Sequence, residues 1–432
     1  MWRGATTTAT THVTPGTAMP ALDWLNFFLA DLQTGFGPFI AVYLTTHKWT
    51  QGQIGIALSV GSAVTMLAQV PAGALVDALP RKRLAATLGL LAVAGSAILL
   101  ALWPETLPVT VAQALHGFAT CMLVPAVAAI TLNHVGRHAY AERLGRNARY
   151  AALGSGVGAA LMGLCGTYVS SAAVFWLAAA LSLPALVAVR ALPSRDPPPE
   201  PTAATGLPSG QTSGWQVLLD RRLVAFALCI VLFQFANAAM LPLAAAEVTR
   251  RAGDSANLVI AACLMVPQGM VALLSPLAGR IAEARGRRPL LLLAFLMLPL
   301  RGLLLSTVAT PALIVVTQAL DGIAGAVIGV MVPLIAADLT RGTGRFNLCM
   351  GAIGLAVGVG ATLSTSVAGV LAGQFGSGLA FLGLGVAGLV ALGTVAVAMP
   401  ETRPDGVPDG VPDGVPDGVT DGRLTRLPSR GA

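Results

Sequence analysis

Stretches of about 20 residues with almost no charge recur along the whole chain, each long enough to cross the hydrocarbon core of a bilayer as a helix. A soluble chain of 432 residues would divide into two or three domains. Composition excludes that outcome: 55% of the residues are hydrophobic, 10% are charged, and the mean hydropathy is +0.76. The 49 glycines and 28 prolines fit as well, since both are commoner in membrane helices than in soluble ones. The sequence therefore predicts an all-α, polytopic membrane protein.

The expected spans lie near 21–44, 52–76, 84–103, 108–132, 148–168 and 172–192, then 223–246, 256–278, 289–309, 312–337, 347–371 and 378–399. Twelve spans thus fall six and six about a polar stretch rich in Pro, Gly and Ser, which has linker composition. The domains expected are an N-terminal segment 1–20, a six-helix bundle 21–193, a linker 194–222, a second bundle 223–399 and a tail 400–432. Pro-Asp-Gly-Val repeats beginning at Pro404 have turn residues but no apolar face, so the tail is expected to be disordered. No charged start followed by an apolar core and a cleavage site opens the chain, and no signal peptide is expected.

The net charge of +7 comes from basic residues in short loops, not from one face, so it reads as a topology signal and not as a nucleic-acid surface. Arg81, Lys82 and Arg83, then Arg137, Arg143 and Arg146, then Arg285, Arg287 and Arg288, and finally Arg341 and Arg345 follow spans 2, 4, 8 and 10. The opposite loops hold few basic residues. Both termini and the linker are therefore expected in the cytoplasm, with the chain in the inner membrane. The five cysteines are scattered through apolar spans without metal or disulfide spacing, which suits packing residues.

The two halves share local patterns. Gly73–Arg83 reads Gly-Ala-Leu-Val-Asp-Ala-Leu-Pro-Arg-Lys-Arg, and Gly279–Arg288 reads Gly-Arg-Ile-Ala-Glu-Ala-Arg-Gly-Arg-Arg. Aligning Gly73 with Gly279 puts Asp77 on Glu283, Arg81 on Arg287 and Lys82 on Arg288. Val-Ala-Gln-Ala-Leu-His-Gly at Val111–Gly117 likewise returns as Val-Thr-Gln-Ala-Leu-Asp-Gly at Val316–Gly322. Repeated six-helix halves are a transporter signature, with a substrate site expected near midplane. The duplicated loop resembles the signature between helices 2 and 3, and 8 and 9, of the major facilitator superfamily, over residues 21 to 399. That resemblance implies two pseudo-symmetric six-helix bundles and a conformational latch at Gly73, Asp77, Arg81, Lys82, Gly279, Glu283, Arg287 and Arg288. The first copy departs from the family at Leu79 and Pro80, where a basic residue and a glycine are usual.

Charge at mid-bilayer costs roughly 2.5–3.5 kcal/mol or more, so ionisable residues within spans are functional candidates. Asp31, mid-span in the first helix, is a candidate proton carrier, or else a structural hydrogen-bonding group. His116 and Asp321 occupy equivalent places in the two repeats, on spans that face the central cavity in this family, and His titrates near neutral pH. Gln113 and Gln318, three residues earlier, share their faces. Asn26, Gln33, Gln234, Asn237 and Gln268 are candidate cavity residues, although uncharged polar groups also join membrane helices. Arg301 needs an acid, a carbonyl or a wet cavity; a structural partnership is favoured over binding of an anionic substrate. The glycines at 154, 156, 158 and 163, and at 351, 354, 358 and 360, suit close helix contact.

The expected function is secondary transport by alternating access, with proton-coupled export of a small organic compound ahead of proton-coupled nutrient uptake. A non-transporting receptor or scaffold is the reading from another class. Proton-coupled efflux members carry an arginine where Gln113 stands, and a proline-bearing motif where Ala152–Gly163 has none. The expected partners are a small-molecule substrate, protons and the lipid bilayer, with the chain a monomer and nucleic acid excluded. No cofactor, metal or catalytic residue is expected: neither a Walker A sequence nor a nucleophile–base set is present.

Overall fold

The computed structural model describes residues 18–34, 38–137, 139–192, 214–252, 256–307 and 310–402. The first half comprises α1 (Ala18–Thr34), α2 (Pro38–Thr46), α3 (Gln51–Ala78), α4 (Lys82–Leu102), α5 (Thr106–Val135), α6 (Tyr140–Tyr168) and α7 (Ala173–Ala191). A short helix, α8 (Gly214–Leu218), precedes the second half: α9 (Arg221–Asn237), α10 (Met240–Ala252), α11 (Ala256–Arg285), α12 (Arg288–Thr307), α13 (Pro311–Leu339), α14 (Phe346–Phe375) and α15 (Ser377–Ala398). The end of the expected linker is thus helical; its earlier part, the tail beyond Thr402 and residues 1–17 lie outside the described residues.

Among the described residues, ten helical segments are long and apolar enough to cross a membrane. The other two expected spans, 21–44 and 148–168, are helical too. The first is shared between α1 and α2, and Pro38 opens α2, where a missing N–H costs nothing. The second is the glycine-rich end of α6, and glycine dilutes the apolar signal. Span 7, the pseudo-symmetric partner of the first, is likewise shared, between α9 and α10.

Glycines show how the helices meet. A Cβ at Gly154 of α6 would collide with the Phe27 carbonyl of α1, and one at Gly360 of α14 with the Val231 carbonyl of α9. Each half thereby repeats the same backbone contact. Between halves, Gly73 meets the Asn347 carbonyl, Gly279 that of Ala141, Gly145 that of Ser275 and Gly351 that of Gln69, all too close for a side chain. These contacts cluster at the end carrying the arginine-rich loops. Further along, a Cβ at Gly156 would lie 3.5 Å from Met265 and one at Gly358 3.9 Å from Met66, while Gly163, Gly369 and Gly373 would meet nothing within 4 Å. The halves are closed at the basic-loop end and diverge towards the other.

Apolar packing follows the same division. One core belongs to the first half; a second lies in the second half and takes in Tyr140, Ala141 and Leu144 of α6 at the closed end. A third, smaller one gathers Met240, Cys263, Ile314 and Phe381 in the second half. Large exposed apolar residues such as Leu67, Leu313, Val316 and Val397 lie on outward helix faces, as a lipid-facing belt requires.

Candidate functional site

The second half gathers four of the candidate residues into one cluster. Arg301, on α12, is 1% exposed. Its Nη1 donates to Asp321 Oδ1 at 2.8 Å and to Asn237 Oδ1 at 2.8 Å, and its Nη2 donates to Gln318 Oε1 at 2.6 Å. Asn237 ends α9, at the break in span 7, and Gln318 and Asp321 lie one turn apart on α13. Gln318 Nε2 donates in turn to the Ile314 carbonyl at 3.1 Å. The acid that Arg301 requires is therefore the repeat counterpart of His116. Removing one member of a buried ion pair strands the other, at a cost of about 3–5 kcal/mol. The Asp321 side chain keeps 20% exposure, and its second oxygen makes no hydrogen bond among the described residues while remaining accessible.

The first half is built differently. Its α4, the counterpart of α12, carries no ionisable residue from Leu84 to Leu102. Gln113 is buried in α5 against α3, 3.5 Å from where a Cβ at Gly61 would stand. Half-buried His116 follows one turn later, and Gly117 is tight against Thr65 and the Gly61 carbonyl. Asp31 is 1% exposed, and neither carboxylate oxygen has a hydrogen-bond partner among the described residues. Its carboxylate occupies the space a side chain at Gly158 of α6 would fill. One glycine of the repeated series thus makes room for the buried acid.

The remaining cavity candidates scatter. Asn26 turns back on its own helix, donating to the Leu22 carbonyl at 2.7 Å. Gln234 faces α14, its Cβ 2.8 Å from a Cβ at Gly360, and Gln268 is half-buried on α11. The side chain of Gln33 lies outside the described ones.

At the basic-loop end the duplicated acids cross between halves. Asp77, at the end of α3, accepts from Asn347 N–H at 3.0 Å, Asn347 Nδ2 at 2.7 Å and Leu348 N–H at 2.8 Å, capping α14. Glu283, at the end of α11, lies by the backbone N–H groups of Ala141 and Glu142 at the start of α6, with one carboxylate oxygen lacking a hydrogen-bond partner among the described residues. An acid at a helix N-terminus gains from the exposed N–H groups and the helix dipole. Lys82 Nζ donates to the Val76, Asp77 and Leu79 carbonyls at 2.7, 3.0 and 3.0 Å, closing the end of α3. Arg287 pairs with Asp338 at 3.1 Å, and Arg288 donates to the Ala396 carbonyl at 2.7 Å. Arg81 is exposed beside α4 and makes no side-chain cap.

Three acids here escaped the sequence reading. Buried Asp23 joins Arg143 at 2.8 Å and Arg146 at 2.6 Å, tying α1 to α6. It stands eight residues before Asp31, so the helical period that carries Asp31 to α6 carries Asp23 there too. Asp338 partners Arg287, and Glu401 accepts from Arg287 N–H at 2.9 Å and Arg288 N–H at 3.1 Å, fixing the first residues of the tail to the start of α12. No local pattern marks either.

The sequence profile of the Major Facilitator Superfamily matches residues 24–270 and 252–424. Two Mycobacterium tuberculosis proteins, from strains CDC 1551 / Oshkosh and ATCC 25618 / H37Rv, are each described as an uncharacterised MFS-type transporter. Each is 36% identical over 388 residues, covering 88% of this chain and 93% of its own. Among solved structures, the human organic anion transporter MFSD10 (TETRAN) superposes with a TM-score of 0.69 at 17% identity, covering 88% of this chain and 99% of that one. The nucleoside transporter NupG superposes with a TM-score of 0.62 at 13% identity, over 89% and 100%.

Proposed function

Because the chain belongs to the major facilitator superfamily, and so is a multi-pass membrane transporter, we propose that it exports a small organic compound in exchange for protons. The observation that carries the proton step is Asp31: a buried carboxylate with no hydrogen-bond partner among the described residues, against a glycine on the neighbouring helix. Such a group is relieved by taking up a proton, and it can release that proton when the helices around it shift. By the positive-inside rule the closed, arginine-rich end faces the cytoplasm, which puts both termini there and the open end outside. The geometry then corresponds to an outward-facing state of an inner-membrane protein. Asp77 and Glu283 act as paired latches that hold this state and let go when the cytoplasmic end opens. Asp31, His116 and Asp321, with Gln113 and Gln318, serve coupling and substrate binding, and the chain works as a monomer.

Export is favoured because the duplicated latch loop resembles that of efflux members, although its first copy departs at Leu79 and Pro80. Uptake by proton symport is the second reading, favoured by Gln113 and by the proline-free Ala152–Gly163 segment. A binding protein without flux is the third. The structural neighbours share the fold; at 17% and 13% identity their substrates are not carried over.

Everted vesicles, energised acid inside and reporting through a quenched pH dye, test the proposal. Adding a transported drug or metabolite dequenches the dye with the native chain and not with Asp31→Asn. Equal dequenching by the variant would remove Asp31 from the proton path. A compound that exchanges in counterflow but moves no proton would remove the coupling itself.

A further inference from the structure

Helix α13 has two exposed faces. Leu313 and Val316 mark an apolar one that suits lipid. Gly325 lies nine residues beyond Val316, half a turn round the helix at 3.6 residues per turn. Asp321, Gly325 and Gly329 follow at four-residue steps along that opposite face. Nearer the closed end α13 meets the first half, where Arg137 donates to the Ala337 carbonyl at 2.7 Å. A Cβ at Gly329 would meet nothing within 4 Å. A Cβ at Gly325 would touch the Val271 side chain of α11 at 3.4 Å, so the open space lies at Gly329, with Gly325 and the accessible oxygen of Asp321 next along the face.

We infer that this oxygen of Asp321 is the substrate-facing acceptor, and that the substrate is an uncharged solute presenting hydroxyl or N–H donors. The inference rests on the transport reading above. Three observations select the class. Asp321 offers the open face an acceptor oxygen with no partner among the described residues. Arg301 stands behind it, 1% exposed, with its charge committed to Asp321 and its remaining bonds to two amide oxygens, so an anion has no route to the only cation of the cluster. The same pair is neutral as a unit, so a permanent cation entering the space would lose its hydration without a net charge to receive it. A neutral donor needs neither compensation. Arg301 is then a positioning residue: it fixes Asp321 and, through Asn237, ties it to the break between α9 and α10.

Thermal-shift titration of the full chain in detergent tests this, with uridine, mannitol and nicotinamide as neutral probes, benzoate as anion and tetraethylammonium as cation. At least one neutral probe is expected to raise the melting temperature, with benzoate and tetraethylammonium inert. The apparent affinity should fall at least tenfold in Asp321→Ala. Since Asp321→Ala strands Arg301 and can misfold, Gly329→Leu is the second variant. Its side chain leans towards the helix N-terminus, over Gly325, and fills the space without touching the ion pair. It should melt like the native chain and lose the shift. A benzoate or tetraethylammonium response, no response to any neutral probe, or a neutral response unchanged in both variants would each overturn the inference. Vesicle flux with benzoate would overturn this class and leave the transport reading intact. A neutral probe that binds but does not exchange would do the reverse.

Discussion

Asp77→Asn isolates the latch between the halves. Its carboxylate takes three hydrogen bonds from the start of α14, at 3.0, 2.7 and 2.8 Å. Asparagine keeps one acceptor oxygen, which can still serve Asn347. The other becomes an amide NH2, a donor set against the Leu348 N–H. One bond is lost and one donor left unpaired, at a cost of about 1–3 kcal/mol. Loss of the negative charge at the helix N-terminus removes about 0.3–1 kcal/mol of that stabilisation by itself. Because Asp77 and α14 belong to opposite halves, the cost falls only on the state closed at the basic-loop end. A bias of about 1–3 kcal/mol moves the closed-to-open ratio by about 5–150-fold. Nitroxide labels at Arg190 and Arg341, exposed at this end in different halves, report the ratio by electron–electron double resonance. The ratio of short- to long-distance populations should drop by that factor in Asp77→Asn, and by less in Asn347→Ala, which removes one bond of three. An unchanged distance distribution in a folded Asp77→Asn protein would refute the latch.

Arg301→Gln or Asp321→Asn alone should destabilise the chain by about 3–5 kcal/mol in thermal melts, and the double variant should recover most of that loss, because it leaves no stranded charge. Gly154→Leu should abolish monodisperse protein on gel filtration, since its Cβ would collide with the Phe27 carbonyl; Gly369→Leu, facing open space, should behave as the native chain. Glu401→Ala uncaps α12 and should cost about 0.5–2 kcal/mol, visible as faster amide exchange at Arg287 and Arg288.

The candidate site was legible only in part. Duplication made His116 and Asp321 equivalent, and the structure gives them unlike settings: Asp321 has Arg301 behind it, whereas α4 has no ionisable residue in the matching region. Arg301 stood out as an oddity in sequence, but its partners lie 17, 20 and 64 residues away, on two other helices. The repeated glycines were readable as contact residues. Which of them join helices within a half, as Gly154 does, and which join the halves, as Gly145 does, was not.

Sequence by itself determined what can be written along one dimension: span lengths, loop charges, the duplicated loop and the family these imply. Each depends on residues close together in the chain or on a repeat of the same local pattern. Tertiary structure alone decided which polar groups meet, where Asp31 finds its space, and that Glu401 and Asp338 serve α12 and Arg287. The physical reason is the solvent. In a water-soluble protein the apolar stripe of a helix tells which face turns inward, but a helix in lipid is apolar all round and carries no such mark. The rotation of each helix, and hence the partner of every polar side chain, is set by contacts with its neighbours.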